Sequence, residues 1–260
     1  MRFHVSGSGA RQRSVSAVLT SLGLAAHDPG TALPPDSIGV WIGLDESLTG
    51  VVEAEEALRG GWNVLLRWPG TLGVRFAERL VTLADEASRQ VAVIRPLRRV
   101  PEFTRIADAG RATILTLAVD LEVSARTDAE GILGDLLDAC VALFGESSLQ
   151  RSEVESALAD DGLLGALAAS IRFQNGALAQ ILLSFGDGVP RFNMVAAGGT
   201  GTRRAASIVP VPLPVHDALL ASEAAAFVHA LSRRTTSGVL LQDSLETLRI
   251  AERIRSTMRA

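Results

Sequence analysis

The chain has 260 residues, Lys+Arg 25 against Asp+Glu 29, a formal net charge of −4 and one cysteine, Cys140. A hydrophobic share of 47% with 21% charged residues fills a core and excludes disorder as the overall state. At about 100–200 residues per domain, the length suits one large domain or two modest ones. All 25 basic residues are arginine, and lysine and tyrosine are absent, which excludes a lysine acid, a Schiff base or a Tyr–Lys pair.

The slightly acidic balance leaves no footprint for nucleic acid, and no arginine block is dense enough to suggest a polyanion partner. A lone cysteine makes no internal disulfide. The start MRFHVSGSGARQR lacks the apolar stretch of a secretory signal, and no run reaches the roughly 20 apolar residues of a bilayer span. A cytoplasmic protein without membrane contact is expected.

In chain order, residues 2–6 form a strand that runs into Gly7-Ser8-Gly9, and Val15, Val18, Leu19 and Leu22 give a helix over 14–22. Residues 24–27 suit a short strand ending at Asp28. Pro29, Gly30, Pro34 and Pro35 mark a loop, followed by a buried strand over 38–44. A helix over 49–59, a strand over 63–67, a helix over 72–89 and a strand over 90–95 continue the alternation. Such alternation predicts βαβ units and a parallel sheet.

After about residue 100 the pattern changes. A long strand over 112–123 precedes an apolar helix over 131–144, ended by Gly145. Ile171 and Phe173, then Asn175-Gly176, then alternating Ala177, Ala179, Ile181, Leu183 and Phe185 read as a hairpin with one buried face. Strands over 192–196 and 207–211 and helices over 215–231 and 244–258 close the chain. The expected fold class is therefore a parallel α/β half, residues 1–100, followed by an antiparallel α+β half, residues 101–260.

Gly7-Ser8-Gly9-Ala10-Arg11-Gln12 follows a strand and opens a helix, the setting of a dinucleotide turn. Gly7 permits the tight turn, and Gly9 lets backbone approach a pyrophosphate resting on the helix N-terminus. The third glycine position holds Gln12. Asp28 lies 28 − 9 = 19 residues after Gly9, where a carboxylate would receive ribose hydroxyls and favour NAD over NADP. The plain alternative is a glycine turn joining strand to helix, with Asp28 opening an Asp-Pro turn. The stretch 28–38 is too short for the helix–strand–helix of a full Rossmann half.

The segments GSGARQRSVSAVL, AEEALRGGWNVLLRWPGTLGVRFAERLVTLADEA, RRVPEF, GILGDLLDACVALFG, IRFQNGALAQILLSF and SGVLLQDSLETLRIAERI occur in a recognisable order. In that order the chain resembles the glucose–fructose oxidoreductase / inositol dehydrogenase (Gfo/Idh/MocA) family over nearly its whole length. The resemblance implies an abbreviated Rossmann-type domain binding NAD or NADP for the first half, and an open, mostly antiparallel sheet covered by helices for the second. It implies oxidoreduction of sugars, polyols or related carbonyl compounds. It also implies homo-dimers or tetramers formed through the C-terminal sheet.

The family's Glu-Lys-Pro signature corresponds to Arg67-Trp68-Pro69, so the bridging lysine is Trp68. Its His-x-x-Asp helix corresponds to Asp135 and Asp138, so the histidine is lost and the aspartate kept. Those two carboxylates share a helical face at i and i+3 and are the candidate acid/base pair, the alternative being a solvated helix edge. Arg67 would contact a phosphate or substrate carboxylate, or simply end its strand at the surface. Arg98-Arg99 reads as structural and Cys140 as inert core, and no metal-ligand set is singled out. Two functions compete: an oxidoreductase with weak or altered chemistry on a small carbonyl or hydroxyl metabolite, and a silent relative acting as a nucleotide or metabolite sensor or as the assembly partner of an active enzyme.

Overall fold

The computed structural model of the chain describes residues 1–7, 9–34, 36–44, 48–67, 73–108, 110–145, 149–199, 201–208, 217–235 and 239–258. By contact the chain forms two compact units. The first is Met1–Pro96 with Val215–Leu245, and the second is Leu97–Pro214 with Glu246–Ala260. Both units are discontinuous, whereas the sequence pattern suggests a single boundary near residue 100. The chain returns to the first unit because the apolar face of a late helix completes that unit's core.

The first unit is built on β1 (Arg2–Ser6), β2 (Ala25–Ala26), β3 (Gly39–Gly43), β4 (Asn63–Leu66) and β5 (Val91–Val93), all parallel, with β12 (Val239–Leu240) antiparallel at the edge. The strand order is β12-β5-β4-β3-β1-β2. Helix α1 (Gly9–Ser21) links β1 to β2, α2 (Leu48–Arg59) links β3 to β4, and α3 (Gly73–Ala87) links β4 to β5. Phe3, Val5, Val40, Ile42, Leu65, Ala92 and Ile94 point to one face. There they bury Val15 and Leu19 of α1 and Leu220, Ala224 and Phe227 of α6 (Asp217–Ser232).

Among the described residues, the stretch between β2 and β3 carries no helix or strand, as its length requires. It turns at Asp28 and lays Leu33 against the sheet. A Cβ at Gly39 would stand 2.5 Å from Leu33 and 2.8 Å from the Trp62 ring. The glycine thus lets the loop settle where a further helix layer would lie.

The second unit has six strands in the order β11-β10-β6-β9-β8-β7. They are β6 (Ile114–Glu122), β7 (Leu149–Leu158), β8 (Leu164–Phe173), β9 (Leu178–Gly186), β10 (Arg191–Gly198) and β11 (Gly201–Ile208). Pairing is antiparallel except between β6 and β9. The long connection through α5 (Ala129–Phe144) and the β7–β8 pair gives the chain room to bring β9 in parallel.

The β8–β9 hairpin turns at Asn175-Gly176. Gly176 takes φ +85°, the Asn175 side chain accepts the Ala177 N–H at 3.0 Å, and its amide donates to the Phe144 carbonyl. Leu115, Leu117, Val119, Ile171, Ile181 and Leu183 bury one face together with Leu136 and Cys140 of α5 and Ile250 and Ile254 of α7 (Leu245–Met258). Three elements escaped the sequence pattern: β7, whose polar residues barely alternate, α4 (Pro101–Asp108) at the expected boundary, and the two-residue β12. Of the strand expected over 207–211, the structure gives the end of β11, and 209–211 lie outside the described residues.

Candidate functional site

In the first unit the sheet reverses its order at β1: the chain steps from β1 to β2 on one side, then to β3 on the other. Such a switch point, at the carboxyl ends of parallel strands, leaves a crevice for a ligand. Ser6-Gly7 ends β1 here. Gly7 takes φ +126°, with Leu44 Cβ 3.2 Å from where its own Cβ would be, and Gly9 takes φ +77°. Apart from its chain neighbours and the backbone of its own helix, no heavy atom of the described residues lies within 4 Å of a Cβ added at Gly9. That open space faces the first turn of α1, a 13-residue helix without an acidic residue in that turn. The backbone N–H groups and the positive end of α1 lie beside that space, an arrangement that fits a phosphate. Arg11 is half-buried on the same turn. Ser8 lies outside the described residues, and Ala10 contributes helix backbone.

Gln12 has a definite job in place of the third glycine. The Met1 carbonyl accepts from the Ala25 N–H of β2, and the Phe3 carbonyl from the His27 N–H just past its end. The Val5 carbonyl, next in that row, receives the Gln12 side-chain amide instead at 2.9 Å. The helix is tied to its strand by a hydrogen bond where a glycine would allow close packing.

Asp28 turns on itself. Its Oδ1 accepts the Gly30 N–H at 2.9 Å, and its carbonyl accepts from the Thr31 backbone and hydroxyl. The Asp-Pro turn is therefore formed. Beside it lies a cavity of about 450 Å³, lined by His4, Ser6, Gly7, Gln12, Pro29, Gly30, Trp41, Glu53 and Glu56 among others. The Ser6 hydroxyl donates to Glu53 Oε2. Burial lowers the pKa of His4, and the His27 backbone and the carboxylates of Glu53 and Asp28 oppose that shift. Sequence reasoning passed over Glu53, Glu56 and His4. The carboxylates sit on a helix face that carries no motif, and only the fold of 28–38 leaves them beside a cavity.

In the second unit, Asp135 and Asp138 are 4% and 1% exposed, so α5 does not present them as a solvated edge. Asp138 is held by Arg98: Oδ2 accepts from Nε at 2.7 Å and Oδ1 from Nη2 at 2.9 Å. This two-pronged pair fastens the 3-10 turn Pro96–Arg99 to α5 and bears out a structural reading of Arg98. Cys140 is fully buried, and its thiol pKa is pushed up by that burial and by Asp138.

Arg67 follows β4, and its N–H donates to the Gly43 carbonyl at 2.9 Å. Trp68 and Pro69 lie outside the described residues. Among those residues, no helix is long and apolar enough to cross a membrane.

No protein-family model and no curated protein matches the sequence. Solved structures share its fold over nearly the full length. A probable dehydrogenase from Thermotoga maritima matches with a TM-score of 0.83 at 13% identity, covering 99% of this chain and 96% of its own. UDP-N-acetylglucosamine 3-dehydrogenase from Acidithiobacillus ferrooxidans matches with a TM-score of 0.78 at 17% identity, over 98% and 97%. Scyllo-inositol dehydrogenase from Lactobacillus casei, crystallised with NAD(H) and scyllo-inositol, also gives 0.78, at 12% identity over 98% and 96%. The chain has the fold of these dehydrogenases, as the resemblance to the Gfo/Idh/MocA family implied.

Proposed function

We propose that this chain binds a nicotinamide dinucleotide at the Gly7–Gly9 turn and belongs functionally with Gfo/Idh/MocA-type oxidoreductases, its redox chemistry on a small carbonyl or hydroxyl metabolite being weak or altered. The observation that carries the reading is the open space above Gly9 at the N-terminus of α1, on the switch point of a parallel sheet. A bound nicotinamide ring supplies hydride transfer. Gly7, Ser8, Gly9, Ala10 and Arg11 hold the pyrophosphate, and Arg67, Trp68 and Pro69 border the nicotinamide side.

Proton delivery is where this chain departs. Reduction of a carbonyl calls for a donor beside the developing alkoxide. The chain has no lysine, and an indole at position 68 donates a hydrogen bond without titrating. Losing ionic stabilisation of the alkoxide costs about 3–4 kcal/mol, or two to three orders of magnitude in rate. Asp135 is the remaining candidate donor, since the two oxygens of Asp138 are already engaged with Arg98. That engagement favours a second reading, a silent relative that senses a nucleotide or metabolite or supports an active partner. We also place a homo-dimer or tetramer interface on the open face of the C-terminal sheet, where Ile114 and Leu182 are each 49% exposed.

The test is calorimetry with NAD(H) and NADP(H) on the parent chain and on Gly9→Val, together with turnover assays on common sugars and polyols. Binding by the parent and none by the folded variant is expected, because the added branch fills the phosphate's place and strains a positive-φ position. Turnover should be negligible. No binding by the parent removes the dinucleotide reading. Robust NAD(P)H oxidation with a simple ketose, lost in Asp135→Asn, removes the silent one and makes Asp135 the proton donor.

A further inference from the structure

Resting on the dinucleotide reading above, we infer that the cavity between the Pro29-Gly30 turn and α2 receives the adenosine end of the cofactor, with Glu53 and Glu56 in place of Asp28 as acceptors for the ribose hydroxyls. Three observations converge on it. The cavity opens on the phosphate turn itself, since Gly7 and Ser6 form part of its wall. A ligand whose pyrophosphate rests over Gly9 therefore has its next group at the cavity mouth. Asp28, the carboxylate that spacing alone nominates, bends back onto the Gly30 N–H, and its neighbours Pro29 and Gly30 reach the cavity wall while it does not.

The cavity also has the chemistry of a diol site. Glu53 and Glu56 lie one helical step apart on α2, and the Ser6 hydroxyl fixes Glu53 through Oε2. A ribose offers two adjacent hydroxyl donors, which two carboxylates on one helix face can accept. His4, Gln12 and the edge of Trp41 complete a wall with room for a base beside the sugar.

Charge sets the specificity. Every cation of this chain other than histidine is an arginine, yet among the described lining residues none is arginine, and the charged ones are Glu53 and Glu56. A 2′-phosphate would meet two carboxylates without a counter-charge. The cavity exists because the chain between β2 and β3 is cut down to a loop, so the acceptor passes from the end of β2 to α2.

Calorimetry on the full-length chain tests this with NAD+ and NADP+ as probes against the parent, Glu56→Gln, Glu53→Gln and Asp28→Asn, folding being checked by circular dichroism and thermal midpoint. The parent should prefer NAD+. Each glutamate variant should weaken NAD+ about tenfold, the worth of one charged hydrogen bond, and narrow the preference over NADP+. Asp28→Asn should cost less than either. Glu56 is exposed, so its variant keeps the test decisive if Glu53→Gln disturbs the β1–α2 contact. NAD+ binding that drops in Asp28→Asn and is unchanged in the glutamate variants overturns this inference and leaves the dinucleotide reading standing. Equal affinity of the parent for NADP+ overturns it as well. A parent that binds neither dinucleotide overturns both.

Discussion

Strand β3 buries all five of its residues, Gly39–Gly43, whereas β9 buries every second one. In the parallel sheet, side chains from both faces are used up in packing, and the strands are three to five residues long apart from the two-residue edge strands. Room for a ligand then lies only at the strand ends, where backbone turns and helix termini face outward. In the mixed sheet the strands run eight to ten residues, one face holds α5 and α7, and the other carries Ile114, Ala118, Ala166, Ala168 and Leu182. Apolar and polar side chains share that face, and the Ser184 hydroxyl donates to Asp120 across it. The difference explains why carboxylates mean different things in the two units: Asp138 braces its unit, while Glu53 and Glu56 border a cavity.

The largest expected effect breaks that contrast at Asp138. Asp138→Ala leaves Arg98 without its carboxylate partner in a largely buried setting, a loss of about 3–5 kcal/mol in urea unfolding. The counterpart in the parallel unit, Glu55, is shared by Arg59 at 3.1 Å and Arg79 at 2.5 Å, both half-exposed. Arg79→Ala should cost only about 0.2–1 kcal/mol. Equal losses in the two variants would show that Arg98–Asp138 is no brace.

A smaller effect is expected at Gly43, where a Cβ would stand 2.6 Å from the Trp41 ring. Gly43→Ala should lower stability by about 1–3 kcal/mol, since the added methyl also meets Leu66 at 3.2 Å and forces the Trp41 ring out of its packed position. Ala168→Ser, on the outward face of β8, serves as the reference substitution and should fall within ~0.5 kcal/mol of the parent. A neutral Gly43→Ala would mean that the parallel sheet is less tightly filled than its burial implies.

The smallest effect is pH-dependent and sits at His4. Burial lowers its pKa in the folded chain below the ordinary value of 6.5, so the unfolded chain binds the extra proton first. Its contribution to stability is complete above that value and declines as pH falls towards the folded pKa. Thermal midpoints followed from pH 8 to 5 should therefore fall less steeply in His4→Gln than in the parent. Parallel curves would show that His4 adds nothing to the pH dependence.

The hairpin at Asn175-Gly176 and the strand–glycine–helix start were legible because each is written in adjacent residues: a turn dipeptide between alternating apolar runs, and Gly7-x-Gly9 between a strand and a helix. The abbreviated half was legible too, because 28–38 is simply too few residues. β7 was not, since an exposed edge strand rich in Arg, Ser and Glu carries no burial signal. Nor was the break in the first unit, because nothing local tells a helix at 217–232 which of two cores it completes.

By itself, then, the sequence determined the order and type of most elements, the glycine turn between β1 and α1 and the absence of a lysine, all properties of neighbouring residues or of composition. Only the tertiary structure decided what the side chains at the site do. Arg98 reaches Asp138 across 40 positions, Gln12 satisfies a carbonyl left bare by a short β2, and Glu53 meets Ser6 across 47. The physical reason is that a polar side chain's role is set by the partner that completes its hydrogen bonds. In a fold of crossovers, that partner is supplied by strand order and loop length, which no window along the chain contains.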